Sequence, residues 1–312
     1  MKVRPFEWRD LPILHRHRHQ SIFLDSALVL TRGSLLVPGA LLSYLVPTMG
    51  VFTYVSNGGS QEDSLLIGQV IHTQGSQFAH LTFLTPEAAL RSPMVSGLLE
   101  HLVILSGERG AQRVIADVDE QTAAFDALRG EHFAVYSRQR IWRFHDGPEM
   151  EFKLSAWRTA ISRDSISIRS LYNNLVPGLV QQVEPYAAYN PRGLVLYQGA
   201  DLLAYVELKY GLRGIWAKPF VHPGADGVPA HFLNLLHKIP NRFSRPVYIC
   251  VRSYQSWLEP ALEELGAETG PRQALMCRHM AIVQKVEIRD ATPALERGHA
   301  EVTFPITRVK SN

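Results

Sequence analysis

The chain has 312 residues, a length that favours two domains over one. Hydrophobic residues make up 46% and charged residues 20% of it, a balance that is typical of a globular protein and excludes a disordered chain, a collagen and a coiled coil. The formal net charge is +3, too small an excess to predict binding to nucleic acid.

The start of the chain and its cysteines bear on the compartment. The residues from Met1 to Asp10 alternate charged and apolar side chains, whereas a secretory signal needs an unbroken apolar run. Cys250 and Cys277 lie in apolar runs without any C-x-x-C pair, which predicts neither a disulfide framework nor a zinc cage. We therefore expect a cytoplasmic protein.

One stretch, residues 33–61, contains no charged side chain and raises the question of a membrane span. Prolines and glycines divide it into pieces of about 10 residues, whereas a bilayer needs about 20 continuous apolar residues. The pattern instead predicts a short helix around residues 40–46 and a strand over residues 51–55. We expect no membrane partner.

Hydrophobic periodicity predicts the elements of the first half. A short strand and a helix come first, then three β-rich runs that form a meander, and then a central amphipathic helix. A strand, a helix that we expect Asp119 to cap, and a long final strand complete this half. The main elements span residues 2–6, 11–14, 40–46, 51–55, 65–72, 78–85, 94–109, 114–118 and 134–144.

The same order of elements recurs in the second half. The pattern predicts a short strand, a helical stretch, a second meander, a central helix, a strand, a helix and a final strand. Ser256-Trp257-Leu258-Glu259 has the form of a capping box, which predicts the start of the last helix. The main elements span residues 166–168, 171–183, 193–197, 202–209, 215–221, 229–239, 246–252 and 274–284.

The best single break between the halves is His145-Asp146-Gly147-Pro148, because glycine and proline interrupt regular structure. We expect residues 1–147 and 148–284 to form two α/β domains, each a mixed and mostly antiparallel sheet flanked by helices. Residues 285–312 lie outside the repeated plan and form a tail. We also expect the two domains to superpose, with the central helices 94–109 and 229–239 in equivalent places.

This order of elements resembles the GNAT superfamily of acyl-CoA-dependent N-acyltransferases, over residues 2–284 and most strongly over residues 79–143. In that family a strand ends at a phosphate-binding loop, and a helix, a strand, a helix and a final strand follow. The first half has AHLTFLTPEAALRSPMVSGLLEHL, RVIADV, TAAFDALRGEHF and AVYSRQRIWRF in this layout. The second half has IWAKPFVHPGADGVPAHFLNLL, PVYICV, SWLEPALEELGA and QALMCRHMAIV. The resemblance implies two tandem GNAT-like domains and acetyl-CoA, or another acyl-CoA, as cofactor.

The resemblance also implies that the CoA pyrophosphate binds backbone N–H groups at the start of the central helix, where the helix dipole favours an anion. The family loop has the form Q/R-x-x-G-x-G/A, and neither half has it. The matching stretch is residues 90–96 in the first half, and the candidate cofactor-binding residues there are Leu84, Thr85, Arg91, Ser92, Met94 and Val95. The matching stretch of the second half is residues 226–230, with Val221, Gly227, Val228 and Ala230 as the alternative candidates. We expect the first half to bind the cofactor, because Arg91 supplies a cation where the second half has Asp226.

The catalytic residues are harder to assign. Many GNAT enzymes use a tyrosine as general acid four residues before the glycine of a Gly-Phe step, and those positions here are Leu128 and Leu262, which cannot donate a proton. Tyr254 is an alternative acid. His80 and His222 lie on or at the end of strands that would line the cleft, and an imidazole titrates near neutrality, so each is a candidate base. A structural role for each histidine stays open.

His15 and His19 are four residues apart, a spacing that can hold zinc on one helical face. No third ligand follows nearby, and a solvated basic face accounts for residues 15–19. We expect no metal.

The sequence favours an acyl-CoA-dependent N-acyltransferase that transfers an acetyl group to an amine of a small molecule or peptide, with at most one half competent. The missing loop glycines and tyrosines leave a second possibility, a non-catalytic GNAT-like protein that binds a ligand or a partner. A third is an aminoacyl- or peptidoglycan-directed transferase, whose usual charged transfer RNA the net charge of +3 does not favour. The acceptor and the oligomeric state stay open, and residues 44–49 and 173–189 are where loops would set specificity.

Overall fold

A computed structural model describes residues 2–34, 36–58, 65–144, 156–186, 190–240, 242 and 245–280. The predicted break at residues 145–148 and the predicted tail over residues 285–312 lie outside these ranges, so the division at residue 147 stays a prediction. The chain from Met1 to Ala281 forms one compact unit.

From the meander onward, helices and strands follow one another in the same order in the two halves, whereas the first half has an additional short strand and one more helix before its meander. The helices are α1 Leu11–Arg16, α2 Ser26–Arg32, α3 Leu36–Leu45, α4 Met94–Glu108, α5 Ala123–Gly130, α6 Ser165–Leu175, α7 Gly178–Val183, α8 Val228–Lys238 and α9 Glu259–Glu264. The strands are β1 Lys2–Pro5, β2 Ile22–Phe23, β3 Val51–Asn57, β4 Leu65–Ile71, β5 Phe78–Thr85, β6 Arg113–Asp119, β7 Ala134–Phe144, β8 Trp157–Thr159, β9 Gly193–Gln198, β10 Asp201–Tyr210, β11 Ile215–Val221, β12 Val247–Arg252 and β13 Glu268–His279.

The strands form one continuous sheet. Its order is β1-β3-β4-β5-β6-β13-β7-β12-β11-β10-β9-β8, with β2 paired to β5 beside this path. The pairs β5–β6 and β11–β12 are parallel, and the other pairs of the described strands are antiparallel. This confirms the expected mixed, mostly antiparallel α/β architecture.

The two halves exchange their last strands at the centre of the sheet. β13, which ends the second half, lies between β6 and β7 of the first half. β7, which ends the first half, pairs with β12 of the second half. Each half therefore completes the hydrogen-bond ladder of the other, and the two share a single sheet.

The central helices α4 and α8 pack on the same face of this sheet. Ala274 lies in the core around α4, and Val251 lies in the core around α8. Ala274 pairs with Arg138, and Val251 pairs with Arg140. Residues two apart in one strand point to the same face, so both cores lie on one side. If α4 and α8 occupy equivalent positions in the two halves, they must lie on one face of the sheet in this way.

The helices α2, α6 and α7 pack on the opposite face. Leu275 and Cys277 of β13 contact the apolar side chains of α6 and α7. Cys250 of β12 contacts those of α2. Both cysteines are buried and free, and burial raises the pKa of each thiol to about 11, so neither is a thiolate near neutrality.

Three local predictions are wrong, although β5 and β7 have the predicted bounds. Residues 166–168 lie in α6, and the strand that opens the second half is β8. Helix α5 is capped by Thr122, whose side chain accepts the N–H of Phe125, and not by Asp119. Helix α9 begins after Leu258 without a side-chain cap, because residues 253–258 form a separate 3-10 helix.

An ion pair recurs at the start of each half. Arg4 donates to both carboxylate oxygens of Asp10, at 2.7 and 2.6 Å. Arg158 donates to both oxygens of Asp164, at 2.8 and 2.7 Å. Each aspartate also accepts a backbone N–H three residues before it, at 2.9 Å. The same contacts at the same spacing mark these segments as counterparts.

The uncharged stretch forms α3 and β3, the predicted helix and strand. Within the described ranges, no single helix has the length and apolarity of a membrane span. Helices α2 and α3 pass that test as a pair, but they are bent by 104° relative to each other.

Candidate active site

Each half contains a fork, where two parallel strands pair over three residues and then separate. In the first half β5 and β6 pair over residues 78–80 and 113–115, and we call this the N-fork. In the second half β11 and β12 pair over residues 215–217 and 247–249, and we call this the C-fork. Backbone groups of separating strands are free to bind an extended ligand, as a sheet edge binds an added strand.

The chain itself closes the N-fork. Strand β2 pairs with β5, with Ile22 opposite Leu84 and Phe23 opposite Phe83. The N–H of Leu24 donates to the carbonyl of Thr82, and the carbonyl of Leu24 accepts the N–H of Asp117, both at 2.8 Å. Leu24 is fully buried. A main-chain segment therefore bridges the two arms of this fork.

One side chain closes the C-fork. The Oε1 of Gln255 accepts the N–H of Val221 at 2.8 Å, and its Nε2 donates to the carbonyl of Pro219 at 2.9 Å. Gln255 is 1% exposed. Its carboxamide presents one acceptor and one donor to the same edge of β11, the two kinds of group that an extended ligand with two successive amides would present, one from each amide.

The predicted phosphate loop of the first half is tied up by its own contacts. The hydroxyl of buried Thr85 donates to the carbonyl of His17 at 3.2 Å. Ser92 accepts the first two amides of the helix, that of Met94 on its Oγ and that of Val95 on its carbonyl, each at 3.3 Å. Arg91 is exposed. The assignment of the cofactor to this half stays a prediction, and these contacts do not favour it.

The corresponding loop of the second half is more open. Gly227 is the N-cap residue of α8, with φ at +66° and no atom within 4 Å of the place where a Cβ would lie. A ligand can therefore approach this backbone closely. Val228 and Ala230 occupy the first turn, where N–H groups lack an intrahelical acceptor. Exposed Asp226 opposes an anion here.

A cavity of about 990 Å³ lies between the two forks, on the face that carries α2, α6 and α7. The N-fork contributes His80 and Asp117 to its lining, and the C-fork contributes Lys218 and Arg252. Residues 184–186, within the segment where specificity was expected, form part of the wall. The cavity thus collects polar groups from both halves.

Asp25, His80 and Asp117 form an acid–base cluster at the N-fork side of the cavity. The Nδ1 of His80 lies 3.7 Å from the Oδ2 of Asp25. The Oδ2 of Asp117 accepts the N–H of Ser26 at 3.2 Å. Burial raises the pKa of Asp117 to about 6, the charge of Asp25 adds to the rise, and the cations nearby oppose it. This carboxyl can therefore exchange a proton near neutral pH.

Glu184 is the centre of an ion cluster at the C-fork side. It accepts from Arg252 Nη2 at 3.0 and 3.1 Å, from Lys218 Nζ at 2.8 Å and from the hydroxyl of Tyr136. Burial would raise its pKa, but Arg252 and Lys218 hold the pKa of this carboxyl well below its usual range. Glu184 therefore stays ionised and acts as an anchor for cations.

The other predicted site residues lie apart from this cavity. His222 is exposed after β11, and its Nδ1 accepts the N–H of Gly224 at 3.1 Å. Tyr254 lines a second cavity of about 320 Å³, and burial raises the pKa of its phenol. His15 lies in α1 and His19 lies in a separate 3-10 helix, so the two do not share one helical face. Each side chain forms a hydrogen bond with Arg18.

Sequence reasoning missed the residues that the structure places at the centre. Asp117 carried a signal, because it interrupts the apolar strand RVIADV with a charge. Arg252 carried a weaker one at the end of PVYICVR. Gln255 and Glu184 carried none, because their partners are distant in the chain.

Comparison with known proteins identifies the fold. No protein-family model and no curated protein matches the sequence. A tandem GNAT protein from the clavulanic acid biosynthesis pathway, solved without AcCoA, is 11% identical, with 90% of this chain and 99% of that chain covered and a TM-score of 0.52. A GCN5-related N-acetyltransferase from Sphaerobacter thermophilus is 13% identical, with 90% and 96% covered and a TM-score of 0.49. The first of these likenesses shows what the chain resembles in fold.

Proposed function

We propose that this chain, which has the fold of the GNAT acetyltransferases, is an acyl-CoA-dependent N-acyltransferase that acylates an amine of a small molecule or peptide. In this proposal the second half alone takes the acyl donor, at the C-fork. The observation that carries it is Gln255, whose carboxamide forms the two hydrogen bonds to β11 that the C=O of one amide and the N–H of the next in an extended ligand would form.

The two forks differ in whether a donor fits. The arm of CoA between its phosphates and its sulfur is an extended chain with two secondary amides. At the C-fork, the C=O of one amide and the N–H of the other can replace the carboxamide of Gln255 on Val221 and Pro219, so the hydrogen bonds are exchanged and not lost. At the N-fork, the same exchange would require removal of strand β2 and of buried Leu24. The residues of the N-fork do not fit a donor.

The central cavity supplies the candidate base. Acyl-CoA contributes a thioester, and an amine attacks it only after losing its ammonium proton. In this proposal Asp117 accepts that proton, because its pKa of about 6 lets it be ionised at neutral pH and still bind a proton. Tyr254 lines the second cavity and not the central one; it stays the candidate donor to the departing sulfur, since burial keeps its phenol protonated.

The closed forks also favour a second candidate, a non-catalytic protein that binds a ligand in the central cavity. Both forks are filled by the chain's own groups, and Ser92 takes the first amides of α4. A protein of this kind would keep the cavity and make no use of acyl-CoA.

Acetyl-CoA binding to three variants separates the two candidates. Gln255→Ala should bind acetyl-CoA several-fold more tightly than the parent protein, because the slot no longer contains a competing side chain. Gln255→Phe should not bind it, because the ring fills the slot. Gln69→Ala is the matched control, since Gln69 is also a glutamine with 1% exposure but lies in the sheet of the first half, so acetyl-CoA affinity should stay unchanged.

The measurement is titration calorimetry with acetyl-CoA, with melting temperature as a second readout. If neither the parent protein nor Gln255→Ala binds acetyl-CoA, the transferase proposal fails and the binding-protein candidate remains. If Gln69→Ala and Gln255→Ala change the affinity equally, the slot is not at the C-fork.

A further inference from the structure

Arg252 has more hydrogen-bond donors than the surrounding protein uses. It is 6% exposed and lines the central cavity. Its Nη2 donates to both oxygens of Glu184. Its Nε and Nη1 have no hydrogen-bond partner in the described part of the chain. A buried guanidinium N–H without a partner costs free energy, so these donors require an acceptor.

The charges around Arg252 also favour an incoming anion. Glu184 is the carboxylate in contact with both Arg252 and Lys218, so this cluster of three groups carries one surplus positive charge. The other acids that line the cavity are Asp25, Asp117 and Glu207, and Asp117, across β13 and β7, has its pKa raised to about 6. Asp117 is mostly ionised at neutral pH and offsets part of the surplus from the N-fork side, whereas Glu184 is the acid in direct contact with Arg252.

The wall beside Arg252 is aromatic. The ring centroids of Tyr172 and Tyr186 lie 5.5 Å apart, and those of Tyr172 and Phe220 also lie 5.5 Å apart. Tyr205 stacks on Phe220 with centroids 6.1 Å apart. All four rings line the cavity. Flat apolar groups pack well against such rings.

We propose that the central cavity binds a small molecule that joins a carboxylate to a flat apolar body, with the carboxylate on Arg252 Nη1 and the body against Tyr172, Tyr186 and Phe220. The claim that the cavity binds such a ligand depends only on the residues of the cavity and not on the proposed function. The further statement that a ligand of this kind, when it also carries an amine, is the acceptor of the acyl group rests on the proposed function. The carboxylate adds an acceptor for the unpaired donor and neutralises the surplus charge, which no uncharged ligand does.

The first test uses the full-length parent protein without acyl-CoA. The probe is 3-phenylpropionate, and its matched control is 3-phenylpropionamide, which has the same body without the charge. We expect the carboxylate to bind about tenfold more tightly than the amide, as a charge-assisted hydrogen bond in a buried site implies. Equal affinities, or no binding of the carboxylate at about 10 mM, overturn the proposal.

The second test assigns the carboxylate to Arg252. Arg252→Gln should reduce the affinity for 3-phenylpropionate about tenfold and leave that for the amide nearly unchanged. Arg158→Gln, which breaks an ion pair outside the cavity, should change neither affinity. If Arg252→Gln does not fold, Phe220→Leu tests the wall, and it should weaken both probes together. Unchanged binding of the carboxylate by Arg252→Gln or by Phe220→Leu overturns the assignment.

Two further outcomes have a defined meaning. Tight binding of benzylphosphonate without binding of 3-phenylpropionate would show that the carboxylate class is wrong. If neither the parent protein nor any variant binds acetyl-CoA while the parent protein binds 3-phenylpropionate, the proposed transferase activity is wrong. The carboxylate site is unaffected by that result. Failure of the two proposals is therefore distinguishable.

Discussion

The N-fork and the C-fork are built on the same plan and closed in different ways. In each fork, two parallel strands pair over three residues and then separate. Main chain fills the N-fork, with β2 and Leu24 bonded to both arms. A single carboxamide fills the C-fork. A slot closed by a side chain can open by a change of rotamer, whereas a slot closed by a strand opens only with loss of sheet structure.

The acids that face the two forks also differ, in how strongly neighbouring cations hold each carboxyl ionised. Glu184 at the C-fork is held ionised by two cations. Asp117 at the N-fork accepts hydrogen bonds but lacks a direct ion pair among the described residues, so burial dominates and raises its pKa. One half thus supplies an openable slot and anchored charge, and the other supplies a group that can exchange protons. In the proposed function, the site combines the slot of the second half with the proton-exchanging acid of the first half.

The largest expected effect is at Glu184. Glu184→Gln leaves Arg252 and Lys218 buried without their anion, which should lower the free energy of unfolding by about 3–5 kcal/mol at pH 7. Because the pKa of Glu184 is lowered on folding, its contribution is present above about pH 4.3 and fades on further acidification. Urea denaturation measures the loss. Glu120→Gln, at an ion pair with a half-exposed arginine, should cost less than about 1 kcal/mol. Equal losses would break the comparison.

The next effect is at the plug of the N-fork. Leu24→Ala removes a fully buried side chain and should lower the free energy of unfolding by about 3 kcal/mol. It should not increase acetyl-CoA affinity, because the main-chain bonds of residue 24 remain. Denaturation and calorimetry on the same sample give both quantities. A gain in acetyl-CoA affinity would show that the N-fork is the openable slot.

A smaller loss is expected at the plug of the C-fork. Gln255→Ala removes two hydrogen bonds to backbone groups of β11 and should lower the free energy of unfolding by about 1–2 kcal/mol. Thermal denaturation with and without acetyl-CoA checks this, and the ligand should restore part of the loss. If Gln255→Ala is as damaging as Leu24→Ala, then Gln255 is a structural element and not a replaceable one.

The smallest effect has the opposite sign. The pKa of Asp117 is about 6 in the folded protein and about 3.9 in an unfolded chain, so ionisation of this carboxyl destabilises the fold as pH rises from about 4 to 6. Asp117→Asn should therefore raise the free energy of unfolding by about 1 kcal/mol at pH 8, since the cavity partly solvates the charge. The gain should vanish below about pH 4. A gain that is the same at both pH values would show that the pKa is not raised.

Much of the fold was readable from periodicity. The bounds of β5 and β7 match the sequence pattern, because a buried strand between turn residues is a local signal. The repeated start of the two halves was missed, although RPFEWRD and RTAISRD share an arginine and an aspartate at the same spacing. The pattern of residues 166–168 suggested a strand instead, because a short apolar run does not distinguish strand from helix.

The sequence by itself determined the order of most elements and the absence of glycine-rich phosphate loops, because these depend on neighbours within a few residues. The tertiary structure alone decided that β13 lies between β6 and β7 and that Gln255 closes the C-fork. It also decided that Arg252 meets Glu184, 68 residues away in the chain. Pairing between distant segments depends on how whole elements pack, and local periodicity carries no record of which strand will lie beside which.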